Sequence, residues 1–255
     1  MGNVSQSNTF FALLERTIKI LVVDDDLSMV ELFYEHLNSY RLYDITRAFC
    51  TKEADSILSS SKRYHVCLMD LGLYDINNDE YYLLKKYSPK ISFIVVTARD
   101  TLDKGFQSKS YGAIAAMNKP LDFYKLDIFN LVNEAFIRSL ITPEHTDKCK
   151  PIIQDAVRTF ISAKPTSIIA WAEEIGVEKR YFRKVWLECF GYQPKYVVWL
   201  YKMFSYAFLY CNSRYCKKFR LKTGDDLQFK GIECFEKRVN RYYNKHKKDI
   251  NRILT

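Results

Sequence analysis

Three carboxylates close one apolar run and a fourth closes another: "ILVVDDD" ends in Asp24, Asp25 and Asp26, and "HVCLMD" ends in Asp70. Thr97 ends a third run, "SFIVVT", and Lys119 lies in "NKP" behind a fourth. Like charges resist burial unless something neutralises them, so carboxylates gathered at buried strand ends call for a cation or a shared proton. Oxygen-only donors with room for water favour Mg²⁺ over zinc. The convergence requires the strand before Asp70 to lie beside the strand before Asp25.

The elements that must hold these groups are legible as apolar runs alternating with amphipathic stretches. Strands are predicted at 18–23, 43–49, 64–69, 91–96 and 113–117, with helices near 27–38, 51–60, 79–87, 101–110 and 122–139. Five strands separated by helices predict an α/β doubly wound domain around a five-stranded parallel sheet, because right-handed crossovers join parallel neighbours. In such open sheets ligands gather beyond the carboxyl ends of the strands, where Asp24, Asp25, Asp70 and Thr97 fall. Residues 141–151, polar and framed by Pro143 and Pro151, read as a linker, and the rest of the chain is wholly helical in pattern. The expected organisation is an extension at 1–16, the α/β domain at 17–140, the linker, and an all-α domain at 152–255.

Charge divides along the same line. Residues 17–140 carry 15 Lys and Arg against 17 Asp and Glu, whereas residues 211–255 carry 13 against 5. An acidic module joined to a basic one suggests a polyanion partner, nucleic acid foremost. No apolar stretch approaches the roughly 18 residues of a membrane span. The opening "MGNVSQ" fits the myristoylation pattern, a six-residue match that chance supplies often. The seven cysteines are scattered without paired metal-type spacing and read as reduced thiols.

The motifs "ILVVDDD", "LMDLGLYD", "VVTA" and "NKP", in this order and spacing, resemble the receiver domain of two-component response regulators, a flavodoxin-like fold, over about residues 17–140. The resemblance implies phosphoryl transfer from a sensor histidine kinase to Asp70. It implies Mg²⁺ held by Asp25 and Asp70 directly, by Asp24 through water, and by the backbone carbonyl of Gly72. Thr97 and Lys119 would contact the phosphoryl oxygens, and Pro120 would follow Lys119 through a cis bond. The types suit the chemistry, since a carboxylate nucleophile needs phosphate held against it and the transferring group spreads negative charge that a lysine stabilises. Three positions depart from the pattern: Tyr74 for a proline, Asn78 for a glycine, and Ala116 for the switch aromatic of strand five. Asp26 is left to lead into the first helix, where its charge suits the N-terminus.

In the basic half, "SIIAWAEEIGVEKRYFRKVWLECF" has a helix-turn-helix shape. Gly176 permits the turn, Glu178 caps the second helix, and Phe182, Val185, Trp186 and Cys189 form its core-facing stripe. Lys179, Arg180, Arg183 and Lys184 lie opposite, a charge suited to the major groove. With Gly191 and Pro194 in the following turn, the stretch resembles the AraC/XylS type of DNA-binding domain. That resemblance implies a long helix at about 194–210 and a second, degenerate unit within 211–255. There Phe235, Val239, Tyr242 and Tyr243 repeat the apolar spacing, Asn244 takes the place of the turn glycine, and Lys247 replaces a proline. By carry-over Arg180, Arg183 and Lys184 read bases, while Lys237 and Arg241 contact phosphates. Trp171, Trp186 and Trp199 are expected in the core, and His36, His65, His145 and His246 lack metal-type spacing.

Together these expectations describe a cytoplasmic, phosphorylation-dependent, DNA-binding transcriptional regulator. Its partners would be a histidine kinase and promoter DNA, with RNA polymerase and a second copy of the chain as further candidates, and no membrane. Its enzymology would be confined to forming and hydrolysing its own aspartyl phosphate. The competing readings are a phosphorylation-independent receiver, an RNA-binding regulator, and a Mg²⁺-dependent phosphatase. The last would need a second acid/base group near Asp70, and the sequence shows no Asp-x-Asp pair there.

Overall fold

The computed structural model describes residues 18–38, 42–73, 79–98, 102–121, 127–142, 150–212 and 232–254, with side chains described except at 102, 127, 206–212, 232–240 and 254. The chain divides into two compact units, one of residues 16–139 and the other from residue 140 onward.

In the first unit the order is β1 (Ile18–Val23), α1 (Leu27–Asn38), β2 (Tyr43–Ala48), α2 (Thr51–Ser59), β3 (Val66–Met69), α3 (Tyr82–Tyr87), β4 (Ser92–Thr97), α4 (Leu102–Ser110), β5 (Ala115–Asn118) and α5 (Asp127–Ile141). All pairings are parallel and the sheet runs β2-β1-β3-β4-β5. The expected five-stranded parallel sheet is therefore present, with β1 beside β3 as the carboxylate convergence requires. The three central strands are covered on both faces, which is why they read as unbroken apolar runs. The edge strands β2 and β5 are only half-buried and tolerate polar residues. Several boundaries differ from expectation. The helix predicted from residue 79 starts at Tyr82, because the Asp79 carboxylate accepts from Tyr81 N at 2.9 Å and from Lys85 Nζ at 2.8 Å, closing a turn before the helix. Tyr74 and Asn78 lie outside the described residues.

His65 precedes β3 as part of the structure's interior. It is 2% exposed, and its Nδ1 accepts from Lys19 N at 3.0 Å while its ring meets Phe136 edge-on at 5.0 Å. Burial, seconded by the charges of Arg63 and Lys19, pushes its pKa down to about 3. A histidine kept neutral when folded contributes stability present above its unfolded pKa of about 6.5 and lost as pH falls toward the folded value. Asp70, whose pKa is raised, works with the opposite sign over the same range, so the effect is read against His65→Asn, which retains an acceptor. The stability advantage of the wild type over this variant should shrink by about 2 kcal/mol between pH 7.5 and 5 in urea unfolding. A constant difference would show that His65 does not titrate as described.

The second unit contains α6 (Pro151–Ala163), α7 (Ile168–Glu174), α8 (Lys179–Phe190), α9 (Pro194–Asn212) and α10 (Ile232–Leu254). Its centre is aromatic. Trp171 is fully buried between Phe160, Phe182 and Trp186, with ring centroids 4.6, 5.1 and 4.8 Å away, and donates its indole N–H to Ala156 O at 2.9 Å. Ser167 caps α7 by accepting from Ala170 N. Gly176, at φ 70°, supplies the left-handed turn into α8, and Glu178 caps α8 by accepting from Arg180 N and Tyr181 N. Phe182, Val185 and Trp186 are buried as the stripe predicts, with Cys189 half-buried beside them. One expectation is corrected here: Cys189 is disulfide-bonded rather than reduced, while Cys50 and Cys67 are free thiols. α10 departs from helical geometry at His246, so the break falls two residues beyond Asn244. Trp199 is half-buried and stacks on Tyr242 at 4.8 Å.

Candidate functional site

Register brings the acidic groups together. Val23 is the Cα partner of Met69, so the next residues, Asp24 and Asp70, leave adjacent strands at the same level. Asp70 N donates to Val23 O at 2.9 Å and Asp24 N to Ala48 O at 3.2 Å, extending the ladders into the site. One ligand oxygen from each of Asp24, Asp25 and Asp70 lies within 4.8 Å of the others. Asp24 is 1% exposed, Asp25 is exposed and Asp70 is half-buried, so the cluster opens to solvent on one side. Gly72 follows Asp70 at φ 116°, a conformation that glycine adopts without the strain a Cβ would bring.

Lys119 supplies the positive charge. Its backbone N donates to Thr97 O at 2.9 Å, which fixes it to the end of β4, and its peptide bond to Pro120 is cis. Its Nζ lies 2.7 Å from Asp24 Oδ2 and 3.4 Å from Asp70 Oδ2. Burial works against the lysine's charge, but hydrogen bonding to Asp24 and the attraction of Asp70 and Asp24 outweigh it, and its pKa is raised. Asp70 shows the opposite balance: burial, only partly offset by Lys119, pushes its pKa up to about 6. Thr97 is buried at the adjoining strand end.

Asp26 stands apart from the other two. Its Oδ1 accepts from Ser28 N at 2.9 Å, and this bond lowers its pKa, so it serves as the cap of α1. Asp24 Oδ1 in turn accepts from Asp26 N at 3.0 Å.

The donor set fits a hard divalent cation. Asp70 Oδ1 is buried with no hydrogen-bond partner among the described residues, an acceptor that ordinarily costs free energy unless something meets it. With one lysine facing three carboxylates, a net negative cavity remains, and oxygen ligands with one exposed side suit Mg²⁺.

Fold and site together define a parallel α/β module with an acidic pocket at the carboxyl ends of its central strands. Residues 20–128 match the family model described as response regulator receiver domain. Such a domain implies two-component signalling and a phosphodonor such as a histidine kinase. Similar solved structures include a CheY-like receiver domain protein from Methanospirillum hungatei JF-1, at 25% identity and TM-score 0.41, covering 46% of this chain and 95% of that one. A Francisella response regulator receiver domain is 24% identical at TM-score 0.42, covering 48% and 98%. One from Clostridium thermocellum is 23% identical at TM-score 0.41, covering 48% and 95%. No curated protein matches the chain. No helix of the described residues is long and apolar enough to cross a membrane.

In the second unit the predicted basic residues Lys179, Arg180, Arg183 and Lys184 are all exposed on α8. Arg241 is exposed on α10, and Lys237 is among the positions whose side chains lie outside the described set. Sequence reasoning gave no contact role to Lys245, Lys247 and Lys248, also exposed on α10, and passed over Gln193, whose Oε1 accepts from Arg183 Nε at 3.1 Å. The lysines were visible as a charge run without a pattern to select them. The Gln193 contact spans ten residues and a turn and left no signal.

Proposed function

We propose that the protein is a response regulator that is phosphorylated on Asp70 and binds promoter DNA through its helical unit. The buried, unpartnered Oδ1 of Asp70 beside Lys119 carries the first half of this reading. Asp70 offers a carboxylate oxygen whose lone pair forms the new P–O bond while the bond from phosphorus to the donor nitrogen breaks and that nitrogen keeps its electrons. Lys119 Nζ turns from the carboxylates to the phosphoryl oxygens, and the Thr97 hydroxyl donates to the same group. Asp24, Asp25, Asp70 and the Gly72 carbonyl would hold Mg²⁺, which when bound supplies the charge neutralisation that lets a phosphoryl group approach carboxylates.

The second half rests on α8, capped by Glu178, seated on Phe182 and Trp186, and basic on its exposed side. A rigid helix with that polarity fits the major groove, with Arg180, Arg183 and Lys184 toward base edges and Lys179 toward phosphates. Lys237 and Arg241 on α10 would add phosphate contacts, and a dimer would double the site. Selection from random duplex DNA should enrich a defined sequence that single-stranded RNA does not displace. Preference for single-stranded RNA would overturn the DNA reading.

Ala116 favours a second reading. It is half-buried on β5 and packs against the core without the bulk of an aromatic. If the DNA affinity of the protein is indifferent to phosphodonor while the adduct still forms, the receiver acts as an interaction module rather than a switch.

A further inference from the structure

Of the four basic side chains on α8, Arg183 is the one whose hydrogen bond to a neighbour is defined: its Nε–H donates to Gln193 Oε1 at 3.1 Å. Gln193 is half-buried in the turn between α8 and α9, a turn fixed by Gly191 at φ 70° and by Tyr196 N donating to Gln193 O at 3.1 Å. The acceptor is thus part of a rigid element, and a long exposed side chain that would otherwise sample many rotamers is anchored at its Nε. With Nε engaged, the edge of the guanidinium that remains for recognition is the one carrying Nη1 and Nη2. Two parallel donors on one edge match the O6 and N7 acceptors of guanine. The start of α8 offers no rival site, because the Glu178 carboxylate already occupies the N–H groups of Arg180 and Tyr181.

We infer that Gln193 is a positioning residue that presents Arg183 to a single guanine in the major groove. This rests on the DNA-binding reading of α8. An arginine ordered before binding loses less conformational freedom on contact, so the anchor contributes to discrimination as well as affinity.

The test uses the full-length protein and the duplex enriched by selection, with each guanine replaced in turn by 7-deazaguanine, which lacks the N7 acceptor. One replacement should weaken wild-type binding about tenfold, the size expected for half of a good bidentate contact. Arg183→Lys, which keeps the charge and loses the fork, should be insensitive to that replacement. Gln193→Ala should lower the sensitivity to about threefold or less, and Gln193→Glu, which keeps an acceptor for Nε, should restore it. A merely structural role for the turn would weaken both duplexes equally and leave the ratio unchanged, and that result overturns the inference. Failure to enrich any duplex overturns the DNA reading itself and this inference with it.

Discussion

Asp70→Asn should abolish the phosphoryl adduct altogether. Wild-type protein incubated with Mg²⁺ and acetyl phosphate should gain one phosphoryl group, detected by intact mass and mapped to the peptide containing Asp70. The amide has the same shape but a far weaker nucleophile, and it removes one of the three carboxylates whose oxygens lie within 4.8 Å. Asp24 is tied to Lys119 and to Asp26 N, and Asp26 is tied to Ser28 N. An adduct of undiminished yield on the variant would move the acceptor elsewhere.

Lys119→Ala should cost both chemistry and stability. The pair it forms with Asp24 is buried, with side chains 13% and 2% exposed. Removing one partner of a buried pair leaves the other charge uncompensated, at a cost of about 3 kcal/mol in the absence of divalent cation. Mg²⁺ should recover part of that loss, because a cation binding only the folded state stabilises it by mass action. Adduct formation from acetyl phosphate should fall about a hundredfold even in saturating Mg²⁺, the penalty typical of deleting a preorganised electrostatic partner. Unfolding in urea with and without Mg²⁺ checks the first effect and single-turnover phosphorylation the second. A variant as stable as wild type in EDTA would contradict the account of the pair.

The central strands were legible because burial on both faces leaves no polar alternation to confuse the reading, and the three strand-end groups Asp24, Asp70 and Thr97 were found with them. That β1 lies beside β3 was the condition for the three carboxylates to converge, and it is met in the register of Val23 with Met69. What escaped was side-chain pairing over distance. The ion pair between Glu80 and Lys104 at 2.7 Å joins a loop to a helix, and the Asp55 carboxylate accepts from Lys86 Nζ at 2.8 Å and from Tyr87 OH at 2.8 Å. Such contacts depend on where whole elements dock, which no local period records. The disulfide at Cys189 was missed for a related reason: scattered spacing cannot reveal which thiols fold into reach. Glu178 and Gly176 were correctly placed because capping and left-handed turns are local requirements.

The claim that joins the two units functionally is that phosphorylation of Asp70 governs DNA binding. The direct measurement is the affinity of one preparation for its selected duplex before and after treatment with Mg²⁺ and phosphodonor, with Asp70→Asn treated in parallel. The affinity of the wild type should change about tenfold, within the usual range of allosteric coupling, and that of the variant should stay fixed. Equal affinities for phosphorylated and unphosphorylated wild type, with the adduct verified by mass, would contradict the account.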